Sequence, residues 1–453
     1  MPMIYSTLNH ALRVPLAAEV HSRPYLQLQA PESITHLAVY VRDRTDPGVS
    51  DMTTQHGYLS GLCEHFGVTP PSSEATFFFH DFGHFRLKWE SHTEFATYTF
   101  AQQQKDGLTI EEAFAQAPLH KIPQQWLLGL QGKLMVGIHV VLDRSHGKPQ
   151  EFARGLSRIF EGRLLAGSRA LNSAEVWTDF LIQSDGFSRV VVRDVGLMEP
   201  QAGRLVQRVL EIETYRIMCL LGLPHAQKAT PALNAIDAEL GALTAAMVET
   251  DHLNGGSLHS RSVAASDQEQ AFLNHITRLA ARLEKLACDN NYRFSASQAY
   301  FRLVGARIDE LREQRIEGFL TQEEFMDRRL TPAMNTCAAV ASRQEALGRR
   351  IAQTNDLLRT RVGIVQEQQN RQILQSMNTR AAQQLQLQRA VEGLSVAAIS
   401  YYMIGLLGYV AKAAKAAGLP VNADIATGLL VPMVAGAVWL GLRRMYRKLQ
   451  AAH

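Results

Sequence analysis

Apolar and polar positions change rhythm twice along this chain. Up to about Asp194 the apolar residues come in short runs, which predict strands over 34–41, 76–79, 85–89, 94–100, 134–142, 176–183 and 187–193. In Phe85-Arg86-Leu87-Lys88-Trp89-Glu90 apolar and charged residues alternate strictly, the pattern of a strand with one face in water. Asp185-Gly186 separates two of these runs and suits a tight turn, because glycine takes positive φ without steric cost. Helical spacing lies between strands over 51–66 and, after Pro149, over 150–160. Thr93-Glu94-Phe95 and Thr178-Asp179-Phe180 both open strand-like runs, a hint of a duplicated half-domain.

Beyond Asp194 the period lengthens to that of helices. Glu199-Pro200 opens one, with Leu205, Val209, Ile212, Tyr215 and Met218 as its buried stripe and Pro224 as its end. Further helices are predicted over 232–250, 267–288 and 296–315, with Asn254-Gly255-Gly256-Ser257 as a turn. Thr331-Pro332 reads as the next helix start, and no proline follows until Pro420. A single helix over 332–411 would be ~120 Å long, too long for one compact domain. It is expected to be a stalk, packed against copies of itself as a coiled coil without strict heptads.

The second change of rhythm comes near Gly393. Residues 393–411 and 425–442 are almost free of charge and flanked by Glu392, Lys412, Asp424 and Arg443. As helices they would be roughly 27–28 Å long, enough for a hydrocarbon core of ~30 Å. Arg443, Arg444, Arg447 and Lys448 outnumber Lys412 and Lys415 of the connecting loop, which predicts both termini in the cytoplasm of a bacterial inner membrane. Met1-Pro2-Met3-Ile4-Tyr5-Ser6 has neither a basic start nor an apolar run, so no signal peptide is read there.

The expected fold is therefore α+β: a cytoplasmic domain of mixed sheet and helices over 1–196, then a helical arm region over 197–331. A long stalk helix over 332–393, a two-helix transmembrane hairpin over 394–442 and a basic tail over 443–453 complete it. Composition agrees. The 453 residues exceed one core, and 46% apolar content is ordinary for a globular chain. A net charge of +3, from 46 basic and 43 acidic residues, gives no electrostatic reason to expect nucleic acid. Cys63, Cys219, Cys288 and Cys337 form no Cys-x-x-Cys pair, which suits reduced thiols better than disulfides or zinc.

Several segments carry a resemblance to a known family. They are His21-Ser22-Arg23-Pro24, the run 85–90 with His92-Thr93-Glu94-Phe95, and Val176-Trp177-Thr178-Asp179-Phe180. Asp185-Gly186-Phe187-Ser188-Arg189, Glu211-Ile212-Glu213-Thr214-Tyr215-Arg216 and 392–402 complete the set. On these the whole chain resembles a bacterial family of uncharacterised membrane-anchored proteins, a domain of unknown function (DUF3422). In plan, not in sequence, it also looks like CorA-type magnesium channels. Their Gly-Met-Asn signature is missing, since Gly408-Tyr409-Val410-Ala411 stands in its place.

Candidate chemistry is sparse. Histidines crowd the first third, at His10, His21, His36, His56, His65, His80, His84 and His92, and His80-Asp81-Phe82-Gly83-His84 is the tightest group. No third ligand with metal spacing accompanies it, so hydrogen-bonded or exposed histidines are the default. Glu90, His92 and Glu94 share one face of a regular strand, where a solvated face or a subunit contact is expected before an acid–base group. Ser188 lacks the Gly-x-Ser-x-Gly elbow, and no Walker loop or Gly-x-Gly-x-x-Gly fingerprint occurs. Arg204, Arg208, Glu211, Glu213 and Arg216 form a charged ridge on the helix opened by Pro200, read as a solvated face with ion pairs before an anion-binding ridge. Gln368, Gln372, Gln375, Gln383 and Gln386 make the lower stalk polar, the wet side of a bundle or the wall of a lumen.

No catalytic, cofactor-binding or metal-ligating residue is assigned. The expected role is a non-enzymatic, membrane-anchored homo-oligomer acting as scaffold or interaction platform, with the lipid bilayer as its first partner. The alternative is a divergent CorA-like channel, and a membrane-tethered enzyme ranks third.

Overall fold

The computed structural model describes residues 10–14, 16–17, 24–41, 52–130, 132–144, 149–253, 263–416 and 423–450. His21 and the Asn254–Ser257 turn lie outside them, as do residues 417–422 of the loop between the two apolar segments. The chain divides into two compact units, Met1–Glu249 with His275–Thr354, and Thr250–Asn274 with Asn355–His453.

The first unit is built on a nine-stranded mixed sheet. Its strands are β1 (Glu32–Tyr40), β2 (Phe77–Asp81), β3 (Arg86–Ser91), β4 (Phe95–Gln103), β5 (Lys133–Asp143), β6 (Ala166–Ala170), β7 (Ala174–Thr178), β8 (Ser188–Asp194) and β9 (Gln314–Arg315). Their order is β2-β3-β4-β1-β5-β8-β7-β6-β9. β5 and β8 run parallel, and the other ladders are antiparallel. All nine residues of β1 are buried, because it is central and covered on both faces. Ile34, Ala38 and Tyr40 point to one core, and Leu37 and Val39 to the other, the two-residue period of a strand.

Four short helices belong to the second face: α1 (Met52–His65), α2 (Ile110–Ala115), α3 (Gln124–Gly129) and α4 (Pro149–Ile159). There Leu59, Leu62 and Cys63 pack on Leu87, Trp89, Tyr98 and Phe100, while Phe114, Phe152 and Leu156 pack on Val141, Trp177 and Val191. The first face is covered by α5 (Glu199–Leu220) through Ala202, Leu205, Val206, Val209 and Ile212. The expected stripe of α5 is present, with Tyr215 at its half-buried margin. Val304 and Ile308 of α7 (Val263–Leu311) and Met326, Leu330 and Met334 of α8 (Gln322–Ala416) join the same core.

Several expectations change. α5 stops at Leu220, four residues before Pro224, and α6 (Gly222–Leu253) starts at once with Pro224 in its first turn. The helices predicted over 267–288 and 296–315 are one helix, α7. α8 begins ten residues before Pro332. Thr321 and Glu324 form a reciprocal cap there: the Thr321 N–H donates to Glu324 Oε2 and the Glu324 N–H to Thr321 Oγ1, both at 3.1 Å. Pro332 is tolerated inside the helix because the Arg328 residue whose carbonyl loses its donor is exposed and can bond water. The strand predicted to Gln183 ends at Thr178, since Phe180 takes φ +54° and turns the chain. Gly186, at φ +86°, makes the expected turn beside Asp185.

The sheet does not support a duplication. Each half is a strand, a helix and a three-strand meander, but β4 returns antiparallel to β1 while β8 returns parallel to β5. The two Thr-acid-Phe tripeptides differ in place, one preceding β4 and the other closing β7.

The second unit is helical where described. One helix, within 322–413, is long and apolar enough to cross a membrane, and its apolar window is almost wholly uncovered. A shorter apolar stretch, Gly428–Gly441, lies in α9 (Ala423–Gln450). Leu394, Tyr401, Leu406, Leu429 and Met433 are each 66–76% exposed, whereas Ser400, Val434 and Val438 are buried.

Candidate functional site: a charged cavity under helix α5

The strict alternation of β3 sends Leu87 and Trp89 into the second core and Arg86, Lys88 and Glu90 to the opposite face. That face is largely covered: α5 and the segment carrying Leu26 and Leu28 lie over it and leave a half-open cavity of about 320 Å³ among β1, β3, β4, α5 and α7. The pleat brings Phe95, Thr97 and Thr99 of β4 into its wall, one residue in two. Lys88 is only 4% exposed. A buried ammonium is tolerable only if paired, and it is.

Lys88 Nζ lies 3.1 Å from Glu90 Oε2 and donates to Gln207 Oε1 at 3.4 Å. The Gln207 amide donates in turn to Glu211 Oε1, one helical turn on, at 2.7 Å. Glu211 accepts from Arg307 Nε, and Arg307 Nη1 donates to Glu310 Oε1 at 2.6 Å. Glu310 Oε2 closes the series by accepting from Arg208 Nε at 2.7 Å. Three cations and three anions thus form one continuous network from β3 through α5 to α7, with Gln207 as its only uncharged link. The ridge on α5 keeps the expected ion pairs, but Arg208 and Glu211 take them from α7 rather than from each other, while Arg204 is exposed with its guanidinium 5.7 Å from the centre of the Tyr25 ring. Glu213 and Arg216 form a separate buried pair at 2.5 Å.

His36 sits in the middle of β1, directly across from Thr99. Its Nδ1 is 2.8 Å from Thr99 Oγ1 and its Nε2 is 3.2 Å from Thr214 Oγ1. Thr214 spends its own hydroxyl proton on the Leu210 carbonyl at 2.8 Å. It must then accept from His36, which assigns the proton to Nε2 and makes Nδ1 the acceptor. Burial, with Lys88 and His92 nearby, pushes the His36 pKa down to about 3, so the ring is neutral. His139, stacked on Phe187 and bonded to Thr35 Oγ1 at 2.9 Å, is likewise lowered by burial to about 4. At the start of β1, away from the cavity, Glu32 pairs with Arg86, yet burial lifts its carboxyl to about 7.

These shifts set a pH dependence. An unfolded histidine takes its proton near pH ~6.5, before the buried rings do, so stability is full above that value and falls as pH drops toward ~4. Glu32 acts oppositely, favouring the fold less as pH rises from ~4.5 to ~7. Two groups outweigh one. Urea unfolding midpoints should decline with acid below pH ~6.5, more steeply in Glu32→Gln and less steeply in His139→Gln. An unchanged slope in both variants would contradict these assignments.

The other expected positions scatter. Glu90 and His92 line the cavity, but the strand ends at Ser91 and the chain turns, with the His92 N–H donating to the Phe95 carbonyl at 2.9 Å. Glu94 is therefore not on their face. It is buried against Arg293 of α7, which also donates to Tyr40 Oη at 3.1 Å. His80 and His84 flank a hairpin turn in which Asp81 Oδ1 accepts the Gly83 N–H at 2.8 Å. His56 bonds the Ser72 carbonyl and His10 accepts from the Leu12 N–H. Among the described residues no three His, Cys, Asp or Glu side chains are grouped to hold a metal ion. Ser188 is buried, its hydroxyl 3.4 Å from the Gly137 carbonyl. Cys63, Cys219 and Cys337 are buried free thiols and Cys288 an exposed one.

Sequence reasoning missed Lys88, Thr97, Gln207 and Arg307. The signal was available for the first only: three charged residues alternating on a strand already rich in aromatics.

No curated protein and no solved structure matches this chain, so the likeness of plan to CorA-type channels finds no support. A family match covers residues 8–449, nearly the whole length. The chain belongs to the family described as "Protein of unknown function (DUF3422)".

Proposed function

We propose that this protein is a membrane-anchored, homo-oligomeric and non-enzymatic binding platform, held by a hairpin formed from the end of α8 and the apolar part of α9. The observation that carries the reading is the exposure of the apolar stretch. Leu394, Tyr401, Leu406 and Val410 are 64–76% exposed, too much contiguous apolar surface to leave in water. Cations stand over aromatic rings at the ends of both segments, Lys412 over Tyr409 at 6.0 Å and Arg443 over Trp439 at 4.9 Å. Such pairs suit the water–lipid boundary. Below them Ile373, Leu374, Met377, Leu385 and Leu387 are exposed among glutamines, a surface that copies of the same helix would cover.

Both termini are assigned to the cytoplasm by the basic excess after residue 442. The protein should stay with membranes through high salt and alkali and leave them only in detergent. Recovery of the intact chain in the alkaline supernatant would refute the anchor. A reporter at His453 should read cytoplasmic and one at Gly418 external. A detergent-corrected mass equal to one chain at all concentrations would remove the oligomer and leave the anchor standing.

A further inference from the structure

Every residue of α8 from 371 to 390 is exposed, and Ile373, Leu374, Met377, Leu385 and Leu387 are among them. Most of the large apolar ones keep an alternation of four and three residues. Ile373, Met377, Leu387, Val391 and Leu394, 56–72% exposed, fall on it, and Arg380 and Gln384 fill its two remaining places. That spacing lays them along one seam of the helix, the pattern by which parallel helices pack knobs into holes. Continued toward the body the seam meets Asn370, and continued the other way Ala398, Tyr401 and Gly405, all exposed. One line therefore runs from the stalk into the first apolar stretch. The other side of that stretch is covered by its own unit: Ser400 is buried, and Val396 and Leu407 are half-buried.

Lipid can cover the part of the seam beyond residue 393, but not the part before it, which stands in water. A second copy of the chain fits both parts. The anchor sets α8 of every copy at one height, because the same residues must meet the hydrocarbon. Parallel copies are then in register, and each residue faces its own counterpart. The Asn370 and Gln384 amides, each donor and acceptor, can bond their counterparts, and polar residues at such positions fix register. The Arg380 stem covers the seam while its guanidinium reaches water. The flanking positions, Ser376, Ala381, Gln383 and Gln388 among them, carry no charge to repel an identical partner.

In the apolar stretch, Ala398 and Gly405 let two backbones come close, and a Cβ at Gly405 would meet nothing of its own chain within 4 Å. Tyr401, 76% exposed, brings a hydroxyl for which hydrocarbon has no partner and a facing Tyr401 does. Covering one large apolar side chain removes roughly 100 Å² from water. Five from each copy come to about 1,000 Å², the size at which an interface becomes specific.

We infer that α8 carries one continuous self-association seam, from Asn370 to Gly405, along which a second copy packs parallel and in register. The inference rests on the anchored, oligomeric reading above and adds to it the face, the direction and the register.

The test is disulfide cross-linking of the full-length chain in the membranes of the cells that make it. The background is Cys288→Ser, since the other three thiols are buried. Under a copper–phenanthroline oxidant, Met377→Cys and Leu387→Cys should each link most of the chain into pairs. Gln375→Cys and Ala382→Cys, on the outward face of the same turns, should link at least fivefold less. All four side chains are exposed, so the variants should fold. Register is read by producing Met377→Cys and Leu387→Cys chains of different tag length together. Their mixed link should stay at background, because the sites lie ~15 Å apart along the axis and a disulfide needs Cα atoms within ~7 Å. Outward positions that link as well as the seam would overturn the face, and a mixed link as strong as the matched ones would overturn the register. No link at any position, with an oligomeric mass in detergent, would remove the seam and leave the oligomer. The same result with the mass of one chain would remove both.

Discussion

Arg293→Met should lower the thermal midpoint of the first unit by on the order of 10 °C, read from tryptophan fluorescence. Arg293 and Glu94 face each other at 7% and 2% side-chain exposure, with both terminal guanidinium nitrogens engaging the carboxylate. Burying either charge alone is expensive, and breaking such a pair typically costs about 3–5 kcal/mol because the partner is left uncompensated. Tyr300, whose phenol is held far above its usual range by burial and then by Glu94, remains a neutral hydrogen-bond donor to that carboxylate and supplies no positive charge to replace Arg293. The double variant Glu94→Gln/Arg293→Met removes both charges and should recover most of the loss. A single variant within about 2 °C of wild type would mean that water reaches Glu94 after all.

Gly203→Ala should be nearly as damaging, although it adds one methyl group on a helix, where alanine is normally the better residue. A Cβ at Gly203 would lie 1.8 Å from the Leu26 carbonyl oxygen, a backbone atom that no rotamer change can move. Either α5 or the segment before β1 must shift. Overpacking of this kind costs about 1–3 kcal/mol, and here the backbone contact argues for the upper end. Leu26, Leu28 and Gly203 all line the cavity, so the same change should also reshape it in molecules that fold. A Gly203→Ala protein with the wild-type midpoint would show that the N-terminal segment is not seated as described.

What could be read from the chain, and what could not, follows from these contacts. β1, β3, β4, β5 and β8 were legible because their periods are strong and their residues aromatic or β-branched. β6, Ala166-Gly167-Ser168-Arg169-Ala170, has neither property. It pairs because β7 and β9 bracket it and because Gly167 leaves room for the Trp177 ring, which a Cβ would meet at 2.3 Å. The starts of α2 and α8 were missed for another reason. Thr109-Ile110-Glu111-Glu112 and Thr321-Gln322-Glu323-Glu324 are both Thr-x-x-Glu capping boxes, but Pro332 supplied a more conspicuous start and outweighed the second. The wet face of β3 illustrates a deeper limit. Alternation tells which residues share a face; it does not tell what lies over that face. Only α5 and α7, more than a hundred residues downstream, turn an apparently solvated row into the wall of a cavity.

The pairing of β6 with β9 has a consequence for how this protein is made. Residues 166–170 leave the ribosome long before Gln314 and Arg315, which give β6 its outer neighbour. At ordinary elongation rates that interval is on the order of ten seconds, during which the row of amides and carbonyls on β6 has nothing of its own chain to bond. Nascent chains stalled between about residues 195 and 310 would therefore be the ones most prone to associate, and chaperone occupancy should peak there and fall once β9 emerges.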